Sequence, residues 1–265
     1  MKTFVIPEFY RSPIISKIKT WQKTQDPRKQ NTAPAYVDFG PVAFYIARHF
    51  GFCYGVENAI EISFKALSEN PGKRIYLLSQ MIHNPEVNKD LTDSGVRFLQ
   101  DTNGKQLIPF EVLTPDDIVI IPAFGTTLGI EELLRKKNIE IKKYNTTCPF
   151  VERVWKKSEQ IGKEDYTIII HGKYKHEETR ATFSRSEKHG HSIVVRDLNE
   201  AKKLGAYITG QNKPGSFPVE FAGKFSEGFD VEKHLEKVGV INQTTMLATE
   251  TQEIADYFKQ LMKEK

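Results

Sequence analysis

Along residues 42–265, short apolar runs alternate with longer amphipathic stretches, and this alternation leaves few folds open to the chain. The runs are "VAFYIA" (42–47), "IYLLS" (75–79), "IVIIP" (118–122), "IEIKKY" (139–144), "YTIII" (166–170), "SIVVR" (192–196) and "VGVIN" (238–242). Apolar residues at helical spacing follow most of them, in "VENAIEISFKALSE", "NPEVNKDLTDSG", "GIEELLRKK", "PFVERVWKKSEQIG", "LNEAKKLGAYI" and "ATETQEIADYFKQLMK". Short β-rich runs bounded by turn residues read as strands, and stretches of period 3.6 read as helices. Strand–helix alternation places helices on both faces of a parallel sheet. The fold class expected is therefore α/β, built of repeated modules with parallel sheets. Residues 1–40 stand apart as a basic N-terminal extension, broken by Pro7, Pro13, Pro27 and Pro34, with one short amphipathic helix in "IISKIKTWQK". The Gly/Pro-rich stretch 209–230 reads as an excursion loop.

Composition excludes several classes of function. A chain of 265 residues with 39% hydrophobic and 27% charged content reads as globular. No apolar run approaches the ~20 residues of a membrane span. The N-terminal "MKTFVIPEFYRSPII" lacks the apolar core of an export signal, so the expected location is cytoplasmic. A net charge of +4 suits an anionic small molecule and falls short of a nucleic-acid footprint. Two cysteines build no disulfide framework and, in a reducing compartment, stay free for metal or redox chemistry.

In parallel sheets the chemistry gathers where strands lead into helices. The loops there carry Cys53, then His83 in "MIHNP", then "AFGTT", then Cys148, then "HGKYKHEE" with His171, His176 and Glu178, then "NQTT". The order repeats. Thirty residues separate Cys53 from His83, and twenty-eight separate Cys148 from His176. Each histidine loop is followed by a threonine pair, Thr126-Thr127 and Thr244-Thr245. If the unit recurs, a third cysteine falls on the order of position 266 or later, beyond Lys265.

Taken singly, each residue has a plain structural reading. A free cysteine is usually a small buried hydrophobe, His83 can cap the helix after it, and "HEETRATF" can be a solvated helix start. Placement favours function for the cysteines. Glycines flank Cys53 and let backbone approach a ligand closely, while Pro149 puts Cys148 at a helix N-terminus. A thiolate there is stabilised by exposed N–H groups and the helix dipole, which makes it a better metal ligand. Histidines near helix N-termini suit phosphate, and Glu178 can serve as a proton donor in a partly apolar pocket.

The stretches "HFGFCYGVENAIEI", "MIHNPEVNKDLTDSGVRFL", "VIIPAFGTT", "YNTTCPFVERVW", "HGKYKHEETRAT" and "GVINQTTMLATETQ" resemble, in that order, the signature stretches of the LytB/IspH family. These are the 4-hydroxy-3-methylbut-2-enyl diphosphate reductases of the non-mevalonate isoprenoid pathway. The resemblance covers roughly residues 42 to 265. It implies a trefoil of three α/β modules around an iron–sulfur cluster, [4Fe-4S] in the complete family member, held by three cysteines. Cys53 and Cys148 match two of them. Two modules follow on this reading, 54–148 and 149–265, with residues 41–53 a strand that belongs with the third. His83, His176 and Thr244 match substrate-binding residues, and Glu178 matches the carboxylate that delivers the proton. The resemblance further implies an allylic diphosphate substrate and an electron donor such as ferredoxin or flavodoxin. In "AFGTT", Phe124 stands where the family usually shows histidine, so one diphosphate contact is lost or moves to Thr126 or Thr127. With the third cysteine absent from residues 1–265, little turnover is expected from this stretch alone.

Two other readings remain open from the residues. Cys53, Cys148, His83 and His176 have the composition of a Cys₂His₂ zinc set. A non-catalytic protein that keeps the diphosphate pocket without a cluster is the second. An open sheet edge gives dimerisation as a further expectation.

Overall fold

The computed structural model describes residues 13–28, 30–48 and 51–264. Residues 1–12 of the N-terminal extension, and His49 and Phe50 ahead of the first cysteine, lie outside the described residues.

The extension forms helix α1 (Pro13–Gln25), where the sequence expects one. Arg48 donates to the Gln22 carbonyl at 2.7 Å and so ties the helix to the chain that follows. Strands β1 (Ala35–Asp38) and β2 (Ala43–Ile46) make an antiparallel hairpin, with Ala35 opposite Ile46. The 42–47 run is thus a strand, but its partner β1 was not legible in the sequence. Tyr36, Phe39, Phe44 and Tyr45 are exposed on this hairpin.

The first sheet holds β3 (Ile75–Leu77), β4 (Arg97–Phe98) and β5 (Ile118–Ile120), all parallel, in the order β4-β3-β5. Period-two alternation sends Ile75, Leu77 and Ile120 to one face, under α2 (Tyr54–Glu69) and α3 (Pro85–Asp93). Tyr76 and Val119 go to the other face, under α4 (Leu128–Lys136). The second sheet repeats the plan with β6 (Thr167–His171), β7 (Ser192–Val195) and β8 (Val238–Asn242) in the order β7-β6-β8, again parallel. Ile169, Ile193 and Val195 pack under α7 (Leu198–Ile208) and α9 (Ala248–Glu264). Ile168, Ile170, Val194 and Ile241 pack on the opposite face with Ile161 of α5 (Pro149–Lys163) and Phe183 of α6 (Glu177–Ser186). Parallel sheets covered on both faces are the fold class the alternation predicts. No helix among the described residues is long and apolar enough to cross a membrane.

Two expectations change, and one of the plain structural readings fails. "IEIKKY" forms no strand: the Glu140 carboxylate accepts the Lys142 backbone N–H at 2.7 Å, a local turn that competes with ladder pairing. Pairing beyond β5 shrinks to one parallel bridge, Ile121 with Asn145. The stretch 209–230 is more than an excursion. It contains α8 (Phe217–Glu220), and Phe217 and Phe221 are buried in the core under α7, stacked 5.0 Å apart. Phe225 bridges antiparallel to Ile193. The charged start of α6 is not solvated, because Glu177, Glu178 and Thr179 are all buried.

Candidate active site

In each sheet the central strand has one neighbour that follows it directly and one that returns from farther along the chain. This creates a crevice at the carboxyl ends, the usual ligand position in such sheets. In the first sheet the crevice lies between β3 and β5, whose following loops carry His83 and Phe124. In the second it lies between β6 and β8, which lead to His176, Glu178 and Thr244. The two crevices meet. His83 Nε2 stands 3.0 Å from His176 Nε2, across 93 residues of sequence. Phe124 packs against both rings, with centroids 4.7 Å from His83 and 5.2 Å from His176.

The local sequence explains how each side chain is held. Asn84 caps α3 by accepting from Val87 N, with Pro85 at the first helical position, and so fixes the His83 loop. Gly125 takes a left-handed φ of 74°, and a side chain there would collide with the Trp155 ring, so the "AFGTT" turn needs glycine. His176 is itself the N-cap of α6, its Nδ1 accepting from the Glu178 backbone N–H at 3.2 Å. Gln243, buried after β8, accepts from Lys173 N at 3.1 Å and from the Thr179 hydroxyl at 3.0 Å. Those bonds pin the loop from β6 to α6.

Glu178 is 1% exposed. Its carboxylate accepts from the Thr244 backbone N–H and, at 2.8 Å, from the Thr244 hydroxyl. Burial pushes its pKa up, against the lowering pull of both Thr244 bonds. A hydroxyl can also accept, so when the acid is protonated its O–H can turn to Thr244 Oγ1. The pair can therefore hold a proton or release it with no more than a turn of the Thr244 hydroxyl hydrogen. Burial drives the His176 pKa down to about 4, with the nearby charges of His83, Lys173 and Arg180 adding to it. Burial also lowers His83. His176 is neutral at neutral pH, and His83 is held toward its neutral form.

Sequence reasoning overlooked Glu177. It is 5% exposed, and neither carboxylate oxygen has a hydrogen-bond partner. Burial raises its pKa to about 7; Ser79 and Arg180 pull it down without forming a bond of ordinary geometry, and Asp101 raises it slightly. Its place beside His176 in a charged run hid it among residues that read as solvated. The threonines of "AFGTT" divide: Thr127 caps α4 by accepting from Ile130 N, and Thr126 is buried. His171 does not join the other histidines; it ends β6, buried, with Nδ1 2.9 Å from the Thr251 hydroxyl of α9.

Cys53 and Cys148 sit at the N-caps of α2 and α5, and neither side chain is used as a cap. Both thiols are free. The helix N-termini converge: a Cβ on Gly55, in the first turn of α2, would overlap Cys148 Sγ. The donor chemistry fits an iron–sulfur cluster, for which soft thiolates at electropositive helix ends are natural ligands. Among the described residues, no three His, Cys, Asp or Glu side chains cluster closely enough to hold a metal ion. The Cys₂His₂ zinc arrangement is therefore not formed, and the histidines pair with each other instead. Gly55→Ala is expected to force α2 and Cys148 apart, at about 1–3 kcal/mol of stability. Urea midpoints of the two proteins check this; an unchanged midpoint would contradict the close approach.

The two units are joined near the site. Glu131 of α4 pairs with Arg185 of α6, whose guanidinium lies 3.8 Å over the Trp155 ring of α5. Ser184 accepts from Leu128 N at 3.1 Å.

Residues 44–265 match the family described as LytB protein. A 4-hydroxy-3-methylbut-2-enyl diphosphate reductase of Prochlorococcus marinus (strain MIT 9515) is 42% identical over 223 residues, 84% of this chain and 54% of that protein. A reductase of the same name from Prochlorococcus marinus subsp. pastoris is 39% identical over 257 residues, 97% of this chain and 60% of that protein. Among solved structures, the E-1-hydroxy-2-methyl-but-2-enyl-4-diphosphate reductase from Plasmodium falciparum superposes with a TM-score of 0.58 at 25% identity, covering 79% of this chain and 54% of that one. The chain spans about half to three-fifths of the length of these relatives.

Proposed function

The chain belongs to the LytB protein family, and from that premise we propose that it carries the proton-donating and diphosphate-binding part of a reductase acting on 4-hydroxy-3-methylbut-2-enyl diphosphate. The reaction is a reductive dehydroxylation. Two electrons and two protons enter, the allylic C–O bond breaks, the hydroxyl leaves as water, and isopentenyl or dimethylallyl diphosphate remains. The observation that carries this reading is the meeting of Glu178, held by Thr244, with the His83–His176 pair at the joined crevices of two sheets.

Cys53 and Cys148 would hold an iron–sulfur cluster, which when bound supplies the electrons and a Lewis-acidic iron for the hydroxyl. The remaining work belongs to side chains of this chain. Glu178 holds a proton on its carboxyl, beside the Thr244 hydroxyl, and hands it to the departing oxygen; without it, hydroxide would have to leave. His83 and His176, with Thr126 near the same turn, bind and orient the diphosphate. Phe124 packs against both imidazole rings and helps fix their orientation, while His83 keeps an exposed face open to a ligand. The electrons would come from a small redox protein of the ferredoxin or flavodoxin kind, and the histidines and acid operate at cytoplasmic pH.

The test is metal and sulfide analysis of protein purified without oxygen. Iron and acid-labile sulfide should be present in the wild type and fall by more than half in Cys53→Ser and in Cys148→Ser. Equal iron and sulfide in all three proteins would overturn the assignment of these thiols.

A further inference from the structure

The two imidazoles that meet across the sheets admit one arrangement of protons. The Glu178 backbone N–H donates to His176 Nδ1 at 3.2 Å. A backbone amide cannot exchange its role, so this nitrogen is bare and the neutral ring carries its proton on Nε2. His176 Nε2 faces His83 Nε2 at 3.0 Å. With the first nitrogen donating, the second must accept, and His83 must carry its proton on Nδ1. Gln80 Oε1 stands 3.4 Å from that Nδ1, a long but correctly placed acceptor. Phe124, in contact with both rings, offers neither a hydrogen bond. The closed pair therefore shows an oxyanion no free N–H.

From this geometry we infer that the His83–His176 hydrogen bond is a proton-linked latch, opened by an oxyanion that brings one proton onto His83; the inference rests on the proposed diphosphate reading of the site. Parting the rings frees the Nε2–H of His176 as a donor. It also leaves the bare Nε2 lone pair of His83 facing a negative charge. A proton drawn from solvent onto that nitrogen replaces repulsion with a charge-assisted hydrogen bond, while Gln80 keeps Nδ1–H. Only that N–H bond forms, and no other covalent bond changes.

The surroundings oppose the charge until the anion arrives. On the His176 side, Lys173 and Arg180 disfavour another cation. Glu177 and Glu178, next in sequence, are both pushed toward their neutral forms by burial. Gln80 and Phe124, which flank His83, carry no charge. Gln80 is on this account a positioning residue: it sets the tautomer of His83 and touches no ligand.

Two measurements test the latch. Nitrogen-15 spectra of the ligand-free protein should show His83 in the less common Nδ1–H form and His176 in the Nε2–H form. Calorimetry with inorganic pyrophosphate, in two buffers of different ionisation heat near neutral pH, should show close to one more proton taken up by wild type than by His83→Gln. Gln80→Glu gives His83 a carboxylate that charges it beforehand, so uptake should fall by half or more and the free ring should already titrate as an imidazolium. Nε2–H forms on both rings in the free protein would overturn the latch. Pyrophosphate binding with equal proton uptake in wild type and His83→Gln would overturn it while leaving the diphosphate site intact. Failure to bind pyrophosphate at all would overturn the diphosphate reading together with the latch.

Discussion

Glu178→Gln, in the cluster-loaded protein, should lower kcat by about 10²–10⁴-fold, the usual worth of a positioned general acid. The amide keeps the shape of the carboxyl and can still bond Thr244, so the site stays folded and substrate affinity should change little. What it cannot do is release a proton to the departing oxygen. Thr244→Val separates that role from simple placement. The two Thr244 bonds lower the Glu178 pKa against burial. Losing the hydroxyl should therefore raise it, and the alkaline limb of the pH–rate profile should move upward. Steady-state kinetics across pH would check both. A Glu178→Gln protein with wild-type kcat would remove the carboxyl from the chemistry.

Glu177→Gln should stabilise the protein above neutral pH. The ordinary glutamyl pKa of 4.5 is raised by burial to about 7, and the oxygens have no hydrogen-bond partner. The folded protein thus holds this proton more tightly than the unfolded chain does. Stability from this group is complete below about pH 4.5, declines as pH rises through 7, and then levels off. The loss amounts to as much as about 3 kcal/mol. Glutamine removes it, because a neutral amide has no proton to lose. Urea unfolding at about pH 5 and about pH 8 should give similar midpoints at the lower pH and a clearly higher one for the variant at the upper. Parallel pH dependences in the two proteins would mean that the Glu177 carboxyl is solvated or paired.

Residues whose roles depend on spacing along one element were legible in the sequence. β8 spans Val238–Asn242 and α7 spans Leu198–Ile208, the bounds the pattern gives, because apolar period and capping residues agree there. Cys53 and Cys148 were readable as helix N-termini for the same reason, Pro149 marking the second. Residues whose roles depend on distant partners were not. "IEIKKY" has strand composition, yet the Glu140 side chain captures the backbone N–H that a ladder would use. The four phenylalanines of 217–229 sit among glycines and prolines that signal a loop, and only contact with α7 and β7 makes them core. Glu177 and Gln80 carry no local signature at all. Their significance arises when the two sheets bring His176 against His83, a contact no periodicity records.

The contact between Gly55 and Cys148 sets an order of events for maturation. The thiol-bearing ends of α2 and α5 lie about ninety-five residues apart in sequence and meet only when both helices have docked on their sheets. An unfolded or half-folded chain presents two unrelated cysteines, each an ordinary oxidisable thiol. If these thiols hold a cluster as proposed, its loading would wait for tertiary structure rather than guide it. Folding shelters the two sulfurs unequally: Cys148 becomes half-buried while Cys53 stays exposed, so Cys53 remains open to oxidation in the finished fold.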